Sequence, residues 1–307
     1  MKSADSILQN CILCPRECGV NRKQGQRGRC RVNAQVRVAR AALHMWEEPC
    51  ISGTEGSGAV FFSGCSLGCV YCQNREISGG KSGMDISVSR LADIFLELEA
   101  QGANNINLVT AGHYVPQVIE ALESAKNAGL HIPVVYNSSG YEKVETLKWL
   151  EGLVDVYLPD FKYMDPVLAE QYSSAPDYPA VARKAIREMV RQRPQPQFDR
   201  RGIMTAGVVV RHLLLPGHVR EAKRVLEYLH QEYGEKIYIS MMNQYTPGPA
   251  VAEDPLLHRR VTKREYERLL DFAQEIGIIQ GFYQEGETAK ESFIPAFDCQ
   301  GVLPEGE

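Results

Sequence analysis

The chain has 307 residues, with 34 lysines and arginines against 38 aspartates and glutamates and a formal net charge of −4. This length suits one large α/β domain or a barrel with an appendage, and the dispersed, slightly outnumbered basic residues argue against a nucleic-acid partner. No apolar stretch approaches the ~20 residues of a membrane-spanning helix and the first residues hold no signal-peptide core, so we expect a cytoplasmic protein without a membrane partner.

Four cysteines with short spacings begin the chain, at Cys11, Cys14, Cys18 and Cys30. The sequence holds nine cysteines, an odd number concentrated in its first quarter, which favours metal ligation in a reducing compartment over disulfides. Three interpretations stay open: a structural zinc, a second iron–sulfur cluster that relays electrons, or free thiols. We interpret residues 1–50 as a cysteine-rich metal-binding extension.

The second part of this extension alternates polar and apolar residues. Val32, Val36 and Val38 belong to this alternation, which predicts a short hairpin within residues 31–50. His44 and Cys50 have side chains that bind metals, but a lone cysteine is more often a small buried hydrophobe. Glycines between residues 53 and 58 then indicate a loop before the first core strand.

Cys65, Cys69 and Cys72 lie within eight positions, directly after the apolar run 59–62. The run predicts a strand that leads into a compact loop, which Gly64 and Gly68 allow to fold tightly. Three thiolates suit a four-iron cluster in which one iron is left open to a ligand. A structural zinc is an alternative that wants a fourth ligand, and none follows within twenty residues. A buried thiol cluster without chemistry is the other.

Short apolar segments then alternate with amphipathic ones. Strands are predicted at residues 59–62, 106–109, 133–136, 154–158, 207–214 and 237–241. Helices are predicted at residues 88–101, 115–128, 142–150, 166 to about 193, 219–233 and 262–276. Six such units predict a parallel sheet covered by helices, closed or partly closed into a barrel over residues 51–290. Residues 291–307 would form a C-terminal tail.

Polar residues follow every predicted strand. Since ligands bind at the carboxyl ends of the strands in a parallel barrel, these turns predict a pocket. Its candidate residues are Gly112, His113, Asn137, Asp160, Lys162, Arg211 and His218. For each histidine a core or surface role is the alternative, and for Lys162 the alternative is a solvated loop charge.

These segments resemble the radical S-adenosylmethionine (radical SAM) superfamily. The cysteine motif with Tyr71 before its last cysteine is the superfamily's signature. The run Asn-Ser-Ser-Gly-Tyr at 137–141, the pair Asp160-x-Lys162 and the segment 211–218 are similar to pyruvate formate-lyase activating enzymes. The N-terminal run Cys-x-x-Cys-Pro-Arg-x-Cys resembles the PflX-like branch. The resemblance extends from residue 11 to residue 283.

This resemblance implies a partial (β/α)₆ barrel of the radical SAM type with a cluster at its top. Cys65, Cys69 and Cys72 would hold a [4Fe–4S] cluster whose open iron binds the amino and carboxylate groups of SAM. One electron would then cleave SAM into methionine and a 5′-deoxyadenosyl radical that abstracts a hydrogen atom. An electron donor such as flavodoxin or ferredoxin is an implied partner.

The resemblance also assigns roles at the strand ends. Residues 110–113 replace the Gly-Gly-Glu turn that holds the SAM amino group in activating enzymes, and the glutamate is absent, so Gly112 would offer backbone acceptors. Asn137, Asp160 and Lys162 would lie near SAM, with Lys162 on the carboxylate and Asp160 on a hydroxyl, a cation or the substrate. Arg211 and His218 would complete the pocket.

The sequence therefore predicts a radical SAM oxidoreductase that abstracts hydrogen from a protein, a peptide or a small molecule. Closest to the resemblance is activation of a glycyl-radical enzyme at a glycine backbone carbon, which requires a wide-mouthed barrel. Two other classes compete with it. One is an iron–sulfur electron-transfer or binding protein without SAM turnover, which would supply four ligands to its cluster. The other is a zinc-bound interaction module.

Overall fold

The computed structural model describes residues 4–284 and 294–304, so the boundary predicted at residues 290 and 291 lies outside the described residues. The strands are β1 (Val36–His44), β2 (Ser57–Phe62), β3 (Met84–Ile86), β4 (Ile106–Val109), β5 (Val134–Ser138), β6 (Val156–Pro159), β7 (Gln197–Phe198), β8 (Met204–Leu213), β9 (Tyr238–Met242) and β10 (Gly281–Tyr283). The helices are α1 (Ala4–Gln9), α2 (Pro49–Ser52), α3 (Arg75–Ser78), α4 (Val88–Ala100), α5 (Val115–Asn127), α6 (Val144–Leu147), α7 (Pro166–Ser173), α8 (Tyr178–Gln192), α9 (Val219–Tyr233) and α10 (Lys263–Glu275). None of these helices is long and apolar enough to cross a membrane.

One sheet joins all of these strands, in the order β10-β9-β8-β6-β5-β4-β2-β1-β3, with β7 paired to β8 beside this path. The strands from β10 to β2 run parallel to one another, and β1 and β3 are antiparallel additions at one edge. Within the described ranges the path ends at β10 and β3 without closing. This confirms the predicted partial barrel, to which β10 adds a seventh parallel strand.

Helices α4, α5, α8, α9 and α10 cover one face of the sheet, because their apolar residues pack in the main core. In α9, Val219, Ala222, Val225 and Leu229 recur at helical spacing and are buried in the main core. The ends of the helices are fixed by capping. At the start of α10, for example, the Thr262 side chain accepts from the backbone of residue 265 in a capping box.

The other face of the sheet is filled by residues 45–56, where no helix was predicted. Helix α2 packs Cys50 and Ile51 against a second core that includes Val135, Val156 and Val209. Alternate residues of a strand point to opposite faces, so these three side chains lie opposite the helix-covered face. Residues 45–56 therefore act as a plug on this side of the sheet.

Three predicted elements differ from the structure. The hairpin predicted within residues 31–50 is wrong: β1 is one strand that pairs with β2, a distant partner that local alternation cannot identify. The helix predicted at 142–150 is a single α-turn, α6, followed by a 3₁₀ turn at Lys148–Leu150. The helix predicted from residue 166 divides into α7 and α8, because Ser174 has φ +46° and Pro176 and Pro179 follow it.

The described part of the C-terminal tail runs along β1. The backbone of Cys299 donates to the Ala39 carbonyl at 2.9 Å, and Ala41 donates to the Gln300 carbonyl at 2.8 Å. Phe297 packs against Phe61, with ring centroids 5.6 Å apart. The tail thereby covers β1 and brings residues 294 and 295 to the cleft described next.

Candidate active site

A cleft with about 1270 Å³ of empty space, including its open mouth, lies at the carboxyl ends of the parallel strands. Cys65, Cys69 and Cys72 line it together, since the loop that follows β2 carries all three. The other strands contribute polar residues from their last positions or the turns that follow. Those that matter below are Thr110, Asn137, Asp160, Lys162 and Arg211.

Two glycines shape the cysteine loop. Gly64 and Gly68 have φ angles of +91° and +72°, which side chains rarely allow. At Gly64 a Cβ atom would also lie 2.6 Å from the Cys30 carbonyl oxygen and 3.2 Å from His113 Nε2. The loop can therefore rest on the N-terminal extension only because residue 64 has no side chain.

The environment of the three thiols combines burial with donors aimed at sulfur. Burial raises the pKa of Cys72 to about 12 and also raises that of Cys65, and the neighbouring thiols add to both effects. The Leu67 backbone donates to Cys65 Sγ at 3.4 Å, and the Ser173 hydroxyl donates to Cys69 Sγ at 3.0 Å. Such donors stabilise negative charge on sulfur, which a metal-bound thiolate carries.

A chain of buried hydroxyls extends this contact. Tyr163 Oη lies 2.9 Å from Ser173 Oγ and 2.6 Å from Tyr71 Oη. All three side chains are at most 6% exposed. Ser173 is therefore held in place by a network that also includes the aromatic residue of the cysteine motif.

Arg211, on β8, is the centre of a network of charges in the cleft. Its Nε donates to Asp160 Oδ1 at 3.0 Å, its Nη1 to Glu47 Oε2 at 3.1 Å and its Nη2 to Asn137 Oδ1 at 2.6 Å. Lys162 Nζ donates to Asp160 Oδ2 at 2.7 Å. Two cations and two carboxylates thus neutralise one another at the ends of β5, β6 and β8.

The network fixes the charge of its members. Burial opposes ionisation of Asp160, but the ammonium of Lys162 and the guanidinium of Arg211 hold its pKa below the ordinary value. Burial likewise opposes the charge on Lys162, yet Asp160 and then the Cys69 thiol raise its pKa. Lys162 therefore stays protonated between Asp160 and the cysteine loop.

Glu47 is a site residue that the sequence analysis missed. It precedes the plug helix α2, and its Oε1 accepts from the amides of Asn137 and Asn107, each at 3.1 Å. The adjacent Glu48 is buried, and burial raises its pKa although Arg211 opposes this. In the sequence, two consecutive acids between β1 and Pro49 were a signal of a possible functional site. That Glu47 reaches Arg211 became visible only once the plug was placed on the sheet.

Three candidate residues do not line the cleft. His113 Nε2 lies 2.8 Å from the Ser63 carbonyl, and burial lowers its pKa to about 3. A Cβ atom at Gly112 would lie 2.6 Å from the Glu142 carboxylate, outside the cleft. His218 Nε2 lies 3.1 Å from Tyr172 Oη at the start of α9. That these three residues contact SAM stays a prediction.

The N-terminal cysteines occupy a different environment. Cys11, Cys14 and Cys30 are buried, whereas Cys18 is exposed and accepts from the Arg29 backbone at 3.3 Å. Burial raises the pKa of Cys14 to about 12. They do not line the cleft, and the metal predicted for them stays a prediction.

Arg16 connects this extension to the cysteine loop. It donates to the Ser66 carbonyl at 3.0 Å, the Ser173 carbonyl at 3.1 Å and the Ser174 carbonyl at 2.6 Å. Its guanidinium also lies over the Tyr141 ring, 5.1 Å from the centroid. One arginine thus ties the loop to the end of α7, next to the hydroxyl that contacts Cys69.

The three thiols suit an iron–sulfur cluster by the chemistry of their donor atoms. In a four-iron cluster each thiolate binds a different iron. Cys65, Cys69 and Cys72, which share one cleft and receive donors at sulfur, suit that arrangement.

This chain is similar to several known proteins. An uncharacterized protein of Methanocaldococcus jannaschii is 28% identical over 283 residues, which cover 90% of this chain and 77% of that protein. The FeFe-hydrogenase maturase HydG from Carboxydothermus hydrogenoformans is similar in structure, with a TM-score of 0.52 and 13% identity, over 77% of this chain and 55% of that one. A domain of pyruvate-formate lyase-activating enzyme from Bacteroides vulgatus matches with a TM-score of 0.40 and 13% identity, over 56% of this chain and 92% of that one.

The profile of the radical SAM superfamily matches residues 59–229, which is more than half of the chain. The matched region contains the cysteine loop and the strand ends from β4 to β8. Membership implies a [4Fe–4S] cluster and SAM, and the cleft holds the three thiols that such a cluster requires. The chain belongs to the radical SAM superfamily.

Proposed function

We propose that this chain reductively cleaves SAM in the cleft and uses the resulting radical to abstract a hydrogen atom from a bound substrate. One observation carries the proposal: three thiols and a lysine–aspartate–arginine network line the same cleft at the carboxyl ends of the strands. The thiols would hold the cluster, and the charged network would orient the polar ends of SAM.

When bound, the cluster supplies the electron that cleaves SAM into methionine and a 5′-deoxyadenosyl radical. Lys162 lies near Cys69 and Cys72, so its ammonium is suited to the methionyl carboxylate next to the cluster. Asp160 keeps that ammonium charged and aimed by its hydrogen bond at 2.7 Å. The second oxygen of Asp160 is held by Arg211, which prevents the carboxylate from rotating.

Arg211 acts as a positioning residue in this proposal. Its guanidinium donates to three protein side chains, so its hydrogen bonds serve the wall of the cleft and leave SAM to Lys162 and Asn137. Asn137, at the end of β5, has its amide oxygen fixed by Arg211 and its amide nitrogen fixed by Glu47. A preorganised wall of this kind costs little reorganisation when the cosubstrate binds.

The mouth of the cleft supports a substrate larger than a metabolite. Trp46, which is 56% exposed, lines the cleft together with Ile294 and Pro295 of the tail. An exposed indole at an open mouth suits the apolar contacts of a peptide or a protein loop. Hydrogen abstraction from a backbone glycine of a partner protein, as in glycyl-radical activation, is therefore the finer form of the proposal.

The test is anaerobic reconstitution with iron and sulfide, reduction by dithionite and addition of SAM, with 5′-deoxyadenosine quantified. Wild-type protein should form 5′-deoxyadenosine, and Cys72→Ala should form none. Cys299→Ala is the matched control, because Cys299 lies on the tail outside the cleft, and it should retain the activity.

Each outcome separates the competing functions. Iron-loaded wild-type protein that binds SAM but forms no 5′-deoxyadenosine would contradict the proposal and favour an iron–sulfur carrier. Zinc without iron or sulfide in the purified protein would favour an interaction module. If 5′-deoxyadenosine forms, deuterium transfer from candidate peptides labelled at glycine decides between a peptide and a small-molecule substrate.

A further inference from the structure

A second, smaller pocket lies between the N-terminal extension and the antiparallel edge of the sheet. It has about 190 Å³ of empty space, including its open mouth, and it shares no lining residue with the cleft. Its walls come from the extension, from β1 and β3, from the turn after α3 and from the turn before α5. The lining residues that matter here are Arg27, Arg31, Arg37, Gly80, Asp85 and Tyr114.

This pocket has an excess of positive charge. Arg37 donates to both carboxylate oxygens of Asp85, through Nε at 2.6 Å and Nη2 at 3.0 Å, so these two side chains neutralise one another. Arg27 and Arg31 are exposed, and neither forms an ion pair with a carboxylate of residues 4–284 or 294–304. Two positive charges at the pocket are therefore left to attract an anion.

Tyr114 adds a buried donor that has no acceptor. Its side chain is fully buried, and its hydroxyl forms no hydrogen bond with any residue that the structure describes. The nearby Arg37 backbone amide is itself a donor, so it cannot accept the hydroxyl proton. Burial raises the pKa of Tyr114, which keeps that proton in place. Since a buried donor without a partner is costly, this hydroxyl indicates an acceptor that enters the pocket.

The backbone holds Arg31 at the pocket in an unfavourable conformation. Its φ is +64°, in the left-handed region that a residue with a long side chain seldom occupies. Its amide donates to the Gly28 carbonyl at 3.0 Å, and its own carbonyl oxygen would lie 3.0 Å from a Cβ atom on Gly80. Local strain of this kind is found at ligand sites, which suggests that the arginine side chain is needed here.

We propose that this pocket binds a small oxyanion of the phosphate class, with Arg27, Arg31 and the Tyr114 hydroxyl as its donors. A tetrahedral oxyanion presents several acceptor oxygens, which match two guanidinium groups and one hydroxyl. The size of the pocket admits one phosphate group but not a whole nucleotide. Its open mouth would let the organic part of a phosphate monoester point into solvent. The site is separate from SAM cleavage and does not depend on it.

A bound anion would connect the extension to the segment that follows the cysteine loop. Arg31 Nη1 would lie 3.8 Å from a Cβ atom on Gly79, in the turn after α3. The amides of Gly80 and Gly64 both donate to the Ile77 carbonyl, at 3.0 Å and 2.8 Å. Occupation of the pocket should therefore stabilise the fold around the cysteine loop, which makes thermal unfolding a suitable readout.

The test measures binding of inorganic phosphate to the reconstituted protein by isothermal titration calorimetry and by thermal unfolding, in phosphate-free buffer at constant ionic strength. Phosphoserine and acetate are titrated in parallel. Tyr114→Phe removes only the hydroxyl, and Arg27→Gln with Arg31→Gln removes the two charges. Arg264→Gln with Arg268→Gln is the matched control, because it removes two exposed charges on α10.

Phosphate should bind the wild-type protein and raise its unfolding midpoint, and acetate should do neither. Each pocket variant should lower the affinity for phosphate at least about tenfold, whereas the α10 variant should match wild type. Without phosphate, Tyr114→Phe should be at least as stable as wild type, because it removes a buried hydroxyl that has no partner in the described structure. Lower stability together with unchanged affinity would show a structural role for the hydroxyl and contradict its role as a donor.

The remaining outcomes each decide for or against the site. Tighter binding of phosphoserine than of phosphate would identify the ligand as a phosphate monoester, and tighter binding of phosphate would identify a free oxyanion. The proposal would be overturned if the wild-type protein bound neither, if acetate bound as well as phosphate, or if the pocket and α10 variants had equal affinities. None of these measurements contains SAM, so a negative result leaves the 5′-deoxyadenosine assay as an independent test of the proposed function.

Discussion

The two groups of cysteines in this chain share a residue type and close spacing but differ in what surrounds them. Cys65, Cys69 and Cys72 open into a cleft beside charged side chains. Cys11, in the N-terminal group, packs with apolar residues such as Leu13 instead. The difference teaches that close spacing identifies cysteines that are able to bind a metal. Exposure to a cleft and nearby charged side chains then distinguish the cysteines that are positioned to take part in a reaction.

The N-terminal extension also supports the loop that carries Cys65, Cys69 and Cys72. Through Arg16 and Arg29, the extension donates hydrogen bonds to carbonyls of the cysteine loop, and the Cys30 carbonyl sits against Gly64. The extension is therefore a brace for the cysteine loop. Substitutions in the two groups should separate these roles.

The largest effect is expected from one cysteine of each group. Cys69→Ser should remove most of the iron and all 5′-deoxyadenosine formation with little loss of fold, because Cys69 is partly exposed. Cys14→Ser buries a hydroxyl and should lower the free energy of unfolding by about 1–3 kcal/mol while the cluster stays bound. Iron and sulfide content and thermal unfolding measure both. If Cys14→Ser lost about half of the iron, the N-terminal cysteines would hold a second cluster, and the two groups of cysteines would not differ in function.

The next largest effect concerns the charge network. Arg211→Met leaves Glu47 and Asp160 without their shared cation and should lower the free energy of unfolding by about 3–5 kcal/mol at pH 7. Since the folded-state pKa of Asp160 is lowered, the stability that its charge provides is present at neutral pH and is lost as the pH falls through that pKa. The cost of Arg211→Met should therefore shrink toward pH 3 in urea unfolding. If the loss of unfolding free energy in Arg211→Met did not change with pH, the proposed role of the Asp160 charge in the network would be contradicted.

Much of this fold was predictable because its signals are local. The apolar runs at 106–109 and 154–158 and the amphipathic pattern at 219–233 match β4, β6 and α9 within two residues. The positions of the cysteine loop and of the polar strand ends were predicted from the same alternation of strands and helices. Pairings between distant segments were not visible, so β1 was predicted as a hairpin and β10 was missed.

The residues of the candidate site that lie at strand ends were predictable from the sequence, and those that reach it from elsewhere were not. Asn137, Asp160, Lys162 and Arg211 follow from topology, because parallel strands bring their carboxyl ends to one edge. Glu47 does not, since it enters through a plug that belongs to no strand–helix unit. His113 also follows β4, and the sequence did not show that its Nε2 lies 2.8 Å from the Ser63 carbonyl.

A smaller effect is expected from the brace itself. Arg16→Gln removes hydrogen bonds between the extension, the loop and α7, and should lower the free energy of unfolding by about 1.5–3 kcal/mol. The matched control is Arg187→Gln, which breaks the exposed pair with Glu232 and should cost roughly 0–1 kcal/mol. Urea unfolding measures both, and iron release in air should be faster only in Arg16→Gln. Equal costs would show that the extension does not brace the loop.

The smallest effect should come from one hydroxyl. Ser173→Ala removes the donor 3.0 Å from Cys69 Sγ, and this donor stabilises the more negative, reduced cluster. The loss of about 1 kcal/mol corresponds to a midpoint potential about 40 mV more negative in a one-electron titration. Ser174→Ala is the matched control, because Ser174 is exposed and uses its carbonyl, not its hydroxyl, to contact Arg16. If both variants keep the wild-type potential, Ser173 holds the loop without tuning the cluster. If both shift alike, the effect comes from α7 and not from the hydroxyl.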